Sequence, residues 1–261
     1  MIRAIKRIGF LSVLMVLIGV LGVNAVTEKT YGWYCKRNKE HKQPIADTSM
    51  QWIENYGGYY VDHNHDEHNT EKVVYLTFDA GYENGNVEKI LDVLKDEQVT
   101  GAFFILSHLI SSHPDLVRRM ATEGHIVANH TASHKDMSKI EEIDAFEEEL
   151  EALNSLYREV TNCELARYYR PPEGKFDEKS LYFARTLGYK TIFWSLAYAD
   201  WDNENQPTTE SAMKTLMTYM HNGAVILLHP TSATNAAILG DFIRELKKDG
   251  YRFGTLDELT Q

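Results

Sequence analysis

The stretch Val73-Val74-Tyr75-Leu76-Thr77-Phe78-Asp79 predicts a buried strand that ends at a carboxylate. A short run rich in β-branched and aromatic residues is typical of a strand that is covered on both faces. Strands of that kind occur in parallel sheets, where a helix connects each strand to the next. We therefore expect helices and strands to alternate on the C-terminal side of Asp79.

The rest of the chain follows this alternation. Periodic apolar residues and terminal proline or glycine residues predict helices over residues 87–97, 114–124, 140–160, 177–187, 209–221 and 235–248. Short apolar runs between them predict strands over residues 102–106, 125–128, 168–170, 191–196, 224–228 and 251–253. The class is therefore α/β, and about seven parallel strands favour a closed or nearly closed (β/α) barrel over an open sheet.

The start of the chain has a different composition. Three cations, Arg3, Lys6 and Arg7, precede an uncharged stretch that runs from residue 8 to residue 27. This layout predicts a signal peptide over residues 1–25, although an uncharged stretch of this length could also serve as a membrane anchor or tether. Both interpretations place the remainder of the protein outside the cytoplasm, so we expect an exported, extracytoplasmic protein.

Two segments are expected after this start. Residues 26–70 form a polar N-terminal extension, and the regular alternation of elements defines a domain over residues 71–261. The extension contains three histidines within residues 62–68, a spacing that could suggest a metal site. Because no helical or strand pattern surrounds these histidines, we favour a solvated loop.

Charge and cysteine content restrict the function further. The chain has a net charge of −11, and the first 25 residues contribute three cations and no acid, so the remainder carries −14. Nucleic acid is therefore excluded as a partner, because phosphate binding requires a basic surface. The two cysteines, Cys35 and Cys163, either pair in an oxidising compartment or remain free thiols.

Reactive residue types recur where the predicted strands end. Asp79 follows the first strand, and His130 follows the third. Arg170 ends the fourth strand, Asp200 follows the fifth, and His229 ends the sixth. In a (β/α) barrel the carboxyl ends of the strands meet on one face, where the chemistry takes place. We therefore expect these side chains to form one hydrolytic site.

Each of these residues has an ordinary structural alternative when it is taken alone. Asp79 could cap a turn, and His229 could be a satisfied core histidine. Arg170 precedes two prolines and could belong to an ordinary proline-rich loop. His130 and His134 are four residues apart, which suits two ligands of one metal but also occurs among surface histidines.

Five motifs in a fixed order are more specific than any single residue. They are TFDAG at residues 77–81, HTASH at 130–134, RPPEG at 170–174, ADW at 199–201 and LLH at 227–229. In this set the chain resembles the polysaccharide deacetylases with a NodB-homology domain, carbohydrate esterase family four. The resemblance covers about residues 72–260 and implies a distorted (β/α) barrel.

Three further segments resemble the delta-lactam-forming branch of that family. They are WSLAYADW at residues 194–201, GYENG at 81–85 and NKEHKQP at 38–44. The resemblance implies de-N-acetylation of N-acetylmuramic acid in peptide-stripped peptidoglycan, with closure to the muramic-δ-lactam of spore cortex. Alternatives are de-N-acetylation of another N-acetylglucosamine or chitin-type polymer and non-catalytic glycan binding. The expected partner is a glycan strand of peptidoglycan, and the expected state is a monomer.

The resemblance also implies roles for the acid–base residues. Asp79 is expected to act as the general base, and Arg170 is expected to keep it ionised and oriented. His229 is expected to protonate the departing sugar nitrogen, while Asp200 raises its pKa.

The remaining expected roles concern the metal and the substrate. His130 and His134 are expected to hold a divalent metal, Zn²⁺ in the first instance. The backbone N–H near Glu173 would stabilise the oxyanion. Trp201 and Leu227 would line the pocket for the acetyl methyl group.

One position departs from the family pattern. Ala80 stands where the family has a second acid that binds the metal, and alanine offers no ligand atom. A site with two imidazoles and no such carboxylate is expected to bind its metal more weakly.

Overall fold

The computed structural model describes residues 29–261. The predicted signal peptide or anchor over residues 1–25, and the possible tether over residues 8–27, lie outside the described residues. Within residues 29–261, no helix has the length and hydrophobicity that crossing a bilayer requires.

The described residues form ten strands and eight α-helices. The strands are β1 (Tyr31–Gly32), β2 (Gly58–Tyr59), β3 (Lys72–Ala80), β4 (Ala102–Ile105), β5 (Ile126–Asn129), β6 (Ala166–Tyr169), β7 (Lys175–Phe176), β8 (Lys190–Ile192), β9 (Ala224–Leu228) and β10 (Tyr251–Phe253). The helices are α1 (Val87–Asp96), α2 (Ser107–Ser112), α3 (Pro114–Thr122), α4 (Ile143–Thr161), α5 (Glu178–Thr186), α6 (Thr209–Tyr219), α7 (Ala233–Lys248) and α8 (Leu256–Leu259).

The main sheet is parallel and curls back towards its first strand. Its strands follow the order β10-β3-β4-β5-β6-β8-β2, and β9 pairs with β3. On the far side, Leu196 forms a parallel bridge with Ile226, and Val61 forms an antiparallel bridge with Ala224 of the same strand β9. Between β8 and β9 the sheet is therefore closed only by single bridges. The sheet forms a (β/α) barrel that is distorted on this side, as predicted.

Alternation along β3 places the two faces of the sheet in different environments. Val74, Leu76 and Phe78 pack in the large apolar layer under the helices. Val73 and Tyr75 belong to the cluster inside the barrel. Because side chains alternate along a strand, the inward face continues into the polar residues at positions 77 and 79 near the carboxyl end of β3.

The N-terminal extension is packed into the fold despite its polar composition. Trp33 and Ile53 are buried in one cluster with Phe176 and Phe193 of the domain, and the Trp33 ring stacks on Phe193 at a centroid distance of 4.6 Å. The adjacent β2 adds to the edge of β8. No periodic pattern predicts this packing, because irregular, polar turns separate the buried residues.

The structure shortens one predicted strand and contains short elements that the sequence did not predict. The strand predicted over residues 191–196 ends at Ile192, and only Leu196 pairs again, because the chain bends away from the sheet between them. Helix α2 was not predicted, because six residues are too few to display an amphipathic period.

The two cysteines are both free thiols in the structure. The Cys35 thiol donates to the carbonyl oxygen of Trp194 at 3.3 Å. Burial raises the pKa of Cys35 to about 12, so this thiol stays protonated. Cys163 is exposed two residues after the end of α4.

Candidate active site

Asp79 and Arg170 form an ion pair at the carboxyl ends of β3 and β6. The Nη1 atom of Arg170 donates to Oδ1 of Asp79 at 2.8 Å. The arginine is fully buried, and 11% of the Asp79 side chain is exposed, so the carboxylate faces the open end of the barrel. This pair confirms the expectation that strand ends distant in sequence meet on one face.

The buried guanidinium is held on every side. Its Nε atom donates to the carbonyl oxygen of Ile192 at 2.9 Å, and Nη2 donates to Thr77 Oγ1 at 2.9 Å and to the Phe193 carbonyl at 3.2 Å. Burial of an arginine requires such compensation, because an unpaired charge in a protein interior is costly. Arg170 therefore presents one fixed charge to Asp79.

That charge controls the ionisation of Asp79. Burial favours the neutral acid, but the neighbouring Arg170 guanidinium outweighs burial and holds the pKa of Asp79 below its ordinary value. The carboxylate is therefore ionised at neutral pH, with Oδ2 left on the side away from the arginine.

His229 and Asp200 form a second charged pair at the end of β9. The Nδ1 atom of His229 lies 2.7 Å from Oδ1 of Asp200. The backbone N–H of His229 donates to Oδ2 of the same carboxylate at 2.8 Å. Because a carboxylate only accepts hydrogen bonds, Nδ1 carries a proton and Nε2 is directed away from Asp200.

The carboxylate makes His229 a stronger base than free imidazole. Burial lowers the pKa of His229, but the hydrogen bond and the charge of Asp200, with a further contribution from Asp79, raise it above the ordinary value. The site thus contains one anionic group, Asp79, and one imidazole that is protonated more readily than usual.

His130 lies beside Asp79 in a neutral state. Its Nδ1 atom is 2.8 Å from the carbonyl oxygen of Arg170, which can only accept, so Nδ1 carries the proton. Burial lowers the pKa of His130 to about 4. Its unprotonated Nε2 therefore faces Asp79 Oδ2 at 3.6 Å, and two acceptors with no proton between them suit an intervening cation.

His134 is carried by a tight loop after β5. Thr131 and His134 have φ angles of 75° and 61°, a left-handed conformation that costs energy in residues with side chains. The Oγ1 atom of Thr131 accepts the backbone N–H of His134 at 2.9 Å and so closes the loop. Within the loop the ring planes of His130 and His134 meet at 72°, with centroids 5.1 Å apart.

Glu149 of α4 stabilises this loop through hydrogen bonds. It was not among the predicted site residues. Its Oε1 atom accepts the backbone N–H of Ser133 at 2.7 Å, and its Oε2 atom accepts from Lys135 at 2.9 Å. Burial disfavours the charge on Glu149, but these hydrogen bonds hold its pKa below the ordinary value. The sequence offered no signal for it, because Glu149 is one of many acids in a charged helix.

The donors at the site fit a loosely held metal ion. Two imidazoles that bind one tetrahedral ion at about 2.0–2.1 Å have a centroid separation close to the one found here. Among residues 29–261, however, no three His, Cys, Asp or Glu side chains are grouped as a ready metal site. Ala80 is fully buried in the layer under the helices and supplies no third ligand.

The other predicted site residues lie around these groups. Glu173 has a φ angle of 55° in the turn that follows Arg170. Leu227 is buried in β9. The Trp201 ring meets the His229 ring edge-on at 6.4 Å between centroids, and 62% of Trp201 is exposed. Trp201 therefore lies on the rim of the site.

A second exposed aromatic residue, Tyr82, follows the strand that carries Asp79. Tyr82 lies two residues after the end of β3 and is 57% exposed. Its ring contacts His108, at the start of α2, with centroids 4.8 Å apart. Exposed aromatic rings such as those of Trp201 and Tyr82 are suited to contacts with a ligand that presents flat faces.

Comparisons with known proteins identify the family of the chain. The polysaccharide deacetylase family matches residues 66–192. The peptidoglycan-N-acetylmuramic acid deacetylase PdaA of Bacillus subtilis is 39% identical over 242 residues, which are 92% of this chain and 90% of that protein. A peptidoglycan-N-acetylglucosamine deacetylase of Bacillus cereus is 30% identical over 236 residues, which are 87% of this chain and 82% of that protein.

A solved structure extends the similarity to three dimensions. The structure of Bacillus subtilis PdaA, described as a family 4 carbohydrate esterase, is similar with a TM-score of 0.82 and 40% sequence identity. The match covers 88% of this chain and 97% of that one. With the motifs assembled at one end of the barrel, the chain belongs to the polysaccharide deacetylases of carbohydrate esterase family 4, enzymes that hydrolyse amide bonds.

Proposed function

We propose that the protein removes the acetyl group from N-acetylmuramic acid in peptide-stripped peptidoglycan and that the product closes to muramic-δ-lactam in spore cortex. The observation that carries this proposal is the pair of anchored acid–base groups, Asp79 on Arg170 and His229 on Asp200, at one end of the barrel. The similarity to a relative named for N-acetylmuramic acid supports the choice of sugar.

In this mechanism Asp79 acts as the general base. Its ionised carboxylate accepts a proton from a water molecule as the water oxygen attacks the acetyl carbonyl carbon. The lowered pKa of Asp79 keeps it in the required form at neutral pH. Arg170 keeps the carboxylate in place, because one oxygen is bound and the other remains open.

His229 completes the reaction as the general acid. When the C–N bond breaks, the sugar nitrogen takes a proton from Nε2 of the imidazolium. The products are acetate and a free amine. Asp200 stabilises the imidazolium through Nδ1, so the acid is present at a pH at which free imidazole is mostly neutral.

The remaining groups act on the carbonyl and the glycan. A divalent cation, which we propose to be Zn²⁺ held by His130 and His134, would polarise the acetyl carbonyl and lower the pKa of water. The backbone N–H near Glu173 is proposed as a donor to the oxyanion. Leu227 and Trp201 are proposed to line the pocket for the acetyl methyl group, with the exposed Trp201 at its rim.

We further propose that the protein works outside the cytoplasm as a monomer. Peptidoglycan is the substrate named for both relatives, and it lies outside the cytoplasm. A single chain supplies the charged pairs and the histidine loop, so the proposed chemistry requires no second subunit.

The pH dependence of the reaction tests the acid role. The general acid must be protonated, and the pKa of His229 is raised. We therefore expect kcat/KM to keep its full value at pH 6.5 and just above, and to fall as the pH rises through the raised pKa. Asp200→Asn removes the charge that raises it, so the falling limb should move to lower pH. A falling limb at the same pH in both proteins would contradict the assignment.

A comparison of glycans tests the substrate. Wild-type protein is given intact peptidoglycan, peptide-stripped peptidoglycan and an N-acetylglucosamine oligomer, and the acetate released is measured. We expect release mainly from the peptide-stripped glycan. Faster release from the oligomer would support the alternative suggested by the N-acetylglucosamine deacetylase relative. Binding of glycan without acetate release, with any divalent metal added, would support a non-catalytic role.

A further inference from the structure

Asn235 is a fully buried residue in the first turn of α7 that contacts both members of the His229–Asp200 pair. Its Nδ2 atom donates to Oδ2 of Asp200 at 2.6 Å and to the backbone carbonyl oxygen of His229 at 3.0 Å. Position 235 lies outside the five sequence motifs. The contacts nevertheless connect the Asn235 side chain to the Asp200 carboxylate and to the main chain of His229, whose imidazole this carboxylate binds.

The orientation of the Asn235 amide is determined by its neighbours. The Tyr198 hydroxyl donates to Oδ1 of Asn235. The opposite orientation would direct Oδ1 at a carboxylate and a carbonyl, neither of which can donate. The backbone N–H of Asn235 is bound by Ser232 Oγ at 3.0 Å, so the start of α7 fixes the base of the side chain.

The two carboxylate oxygens of Asp200 accept hydrogen bonds from different donors. Oδ2 accepts from Asn235 and from the His229 backbone, and Oδ1 is left for the imidazole Nδ1. Without the amide, Oδ2 loses its shortest donor, and the buried carboxylate can rotate towards other partners. The imidazole would then lose its fixed direction relative to the reacting nitrogen.

We propose that Asn235 is a positioning residue for the proton-donating His229–Asp200 pair and that Tyr198 sets its orientation. The inference rests on the proposed function only for its kinetic effect. Its structural effect, a fixed Nδ1–H···Oδ1 hydrogen bond, is present without substrate.

The first experiment compares isosteric variants of neighbouring residues. Asn235→Leu removes both donated bonds, and we expect kcat to fall by about 10–100-fold with little change in KM, as is typical when a supporting partner of a site residue is lost. Tyr198→Phe should cause a smaller fall in the same direction. Thr234→Val is the matched control, because it removes one bond of the same helix turn, to the Pro207 carbonyl at 2.7 Å, and leaves Asp200 untouched.

Asn235→Asp separates positioning from a merely structural role. A protonated carboxyl group can still donate to Asp200, whereas two adjacent carboxylates repel each other. The charged groups that face His229 are Asp200, Asp79 and Arg170, and all are unchanged in this variant. We expect Asn235→Asp to approach wild-type kcat at acidic pH and to lose activity as the pH rises. Asn235→Leu should be impaired at every pH.

Proton NMR of histidine-labelled protein provides the readout that needs no substrate. We expect the hydrogen-bonded Nδ1–H signal of His229 in wild type and Thr234→Val, and its loss or displacement in Asn235→Leu and Tyr198→Phe. An unchanged signal and unchanged kcat in both Asn235→Leu and Tyr198→Phe would overturn the proposal. If wild type releases no acetate from any glycan, the proposed function fails, whereas the NMR signal still decides the role of Asn235.

Discussion

Asp79→Asn should abolish most of the acetate release while leaving the fold intact. Asparagine has the same shape but cannot accept a proton from water, so the rate should fall by about 10²–10⁴-fold, the usual contribution of a general base. The substitution keeps an oxygen that can accept from Arg170, which limits the structural change. Activity is measured as acetate released from peptide-stripped glycan, and folding by circular dichroism.

A matched substitution controls for the loss of a carboxylate. Asp92 lies on α1, pairs with Arg119 at 2.7 Å and is mostly exposed, so Asp92→Asn should retain wild-type activity. Acetate release by Asp79→Asn at the rate of Asp92→Asn would show that Asp79 is not the base.

Arg170→Met should cause the largest loss of stability. The substitution leaves Asp79 as a buried charge without its partner, and it leaves Thr77 and the Ile192 and Phe193 carbonyls without their donor. Breaking a buried ion pair on one side costs about 3–5 kcal/mol in the free energy of unfolding. Urea denaturation measures the change. Activity should fall as well, because the pKa of Asp79 would rise towards neutrality.

Two further variants show whether the unpaired charge is the cause. Arg158→Met removes an exposed arginine that pairs with Glu164, and it should leave stability nearly unchanged. Adding Asp79→Asn to Arg170→Met removes the unpaired charge, so the double variant should be more stable than Arg170→Met alone. Strictly additive losses in the double variant would mean that the two side chains do not interact.

The sequence was sufficient to predict how the barrel gathers its reactive groups. Val73 to Phe78 form the central strand as expected, and the inward face of that strand leads to Asp79. Because parallel strands have their carboxyl ends on one side, Asp79, Arg170 and His229 could be expected together before their contacts were known. The ion pair between Asp79 and Arg170 meets that expectation.

Other parts of the site depend on contacts that leave no local pattern. The buried Trp33 and Ile53 lie in irregular polar segments, where neither strand nor helix periodicity can reveal them. Glu149 and Asn235 act through side-chain hydrogen bonds to loops remote from them in sequence, and their residue types are common on helices. The left-handed backbone conformation of His134 could not be predicted from the sequence either. Glycine is the residue that usually indicates this conformation, and position 134 is a histidine.

The most direct test is an analysis of the products formed from peptide-stripped peptidoglycan. Wild-type protein is incubated with the glycan, acetate is quantified, and the sugars are separated and identified by mass spectrometry. We predict equal amounts of acetate and of muramic acid that has lost its acetyl group, as the free amine or the lactam, and about 10²–10⁴-fold slower formation of both with Asp79→Asn. Acetate matched by glucosamine, or no acetate from any glycan, would contradict the account.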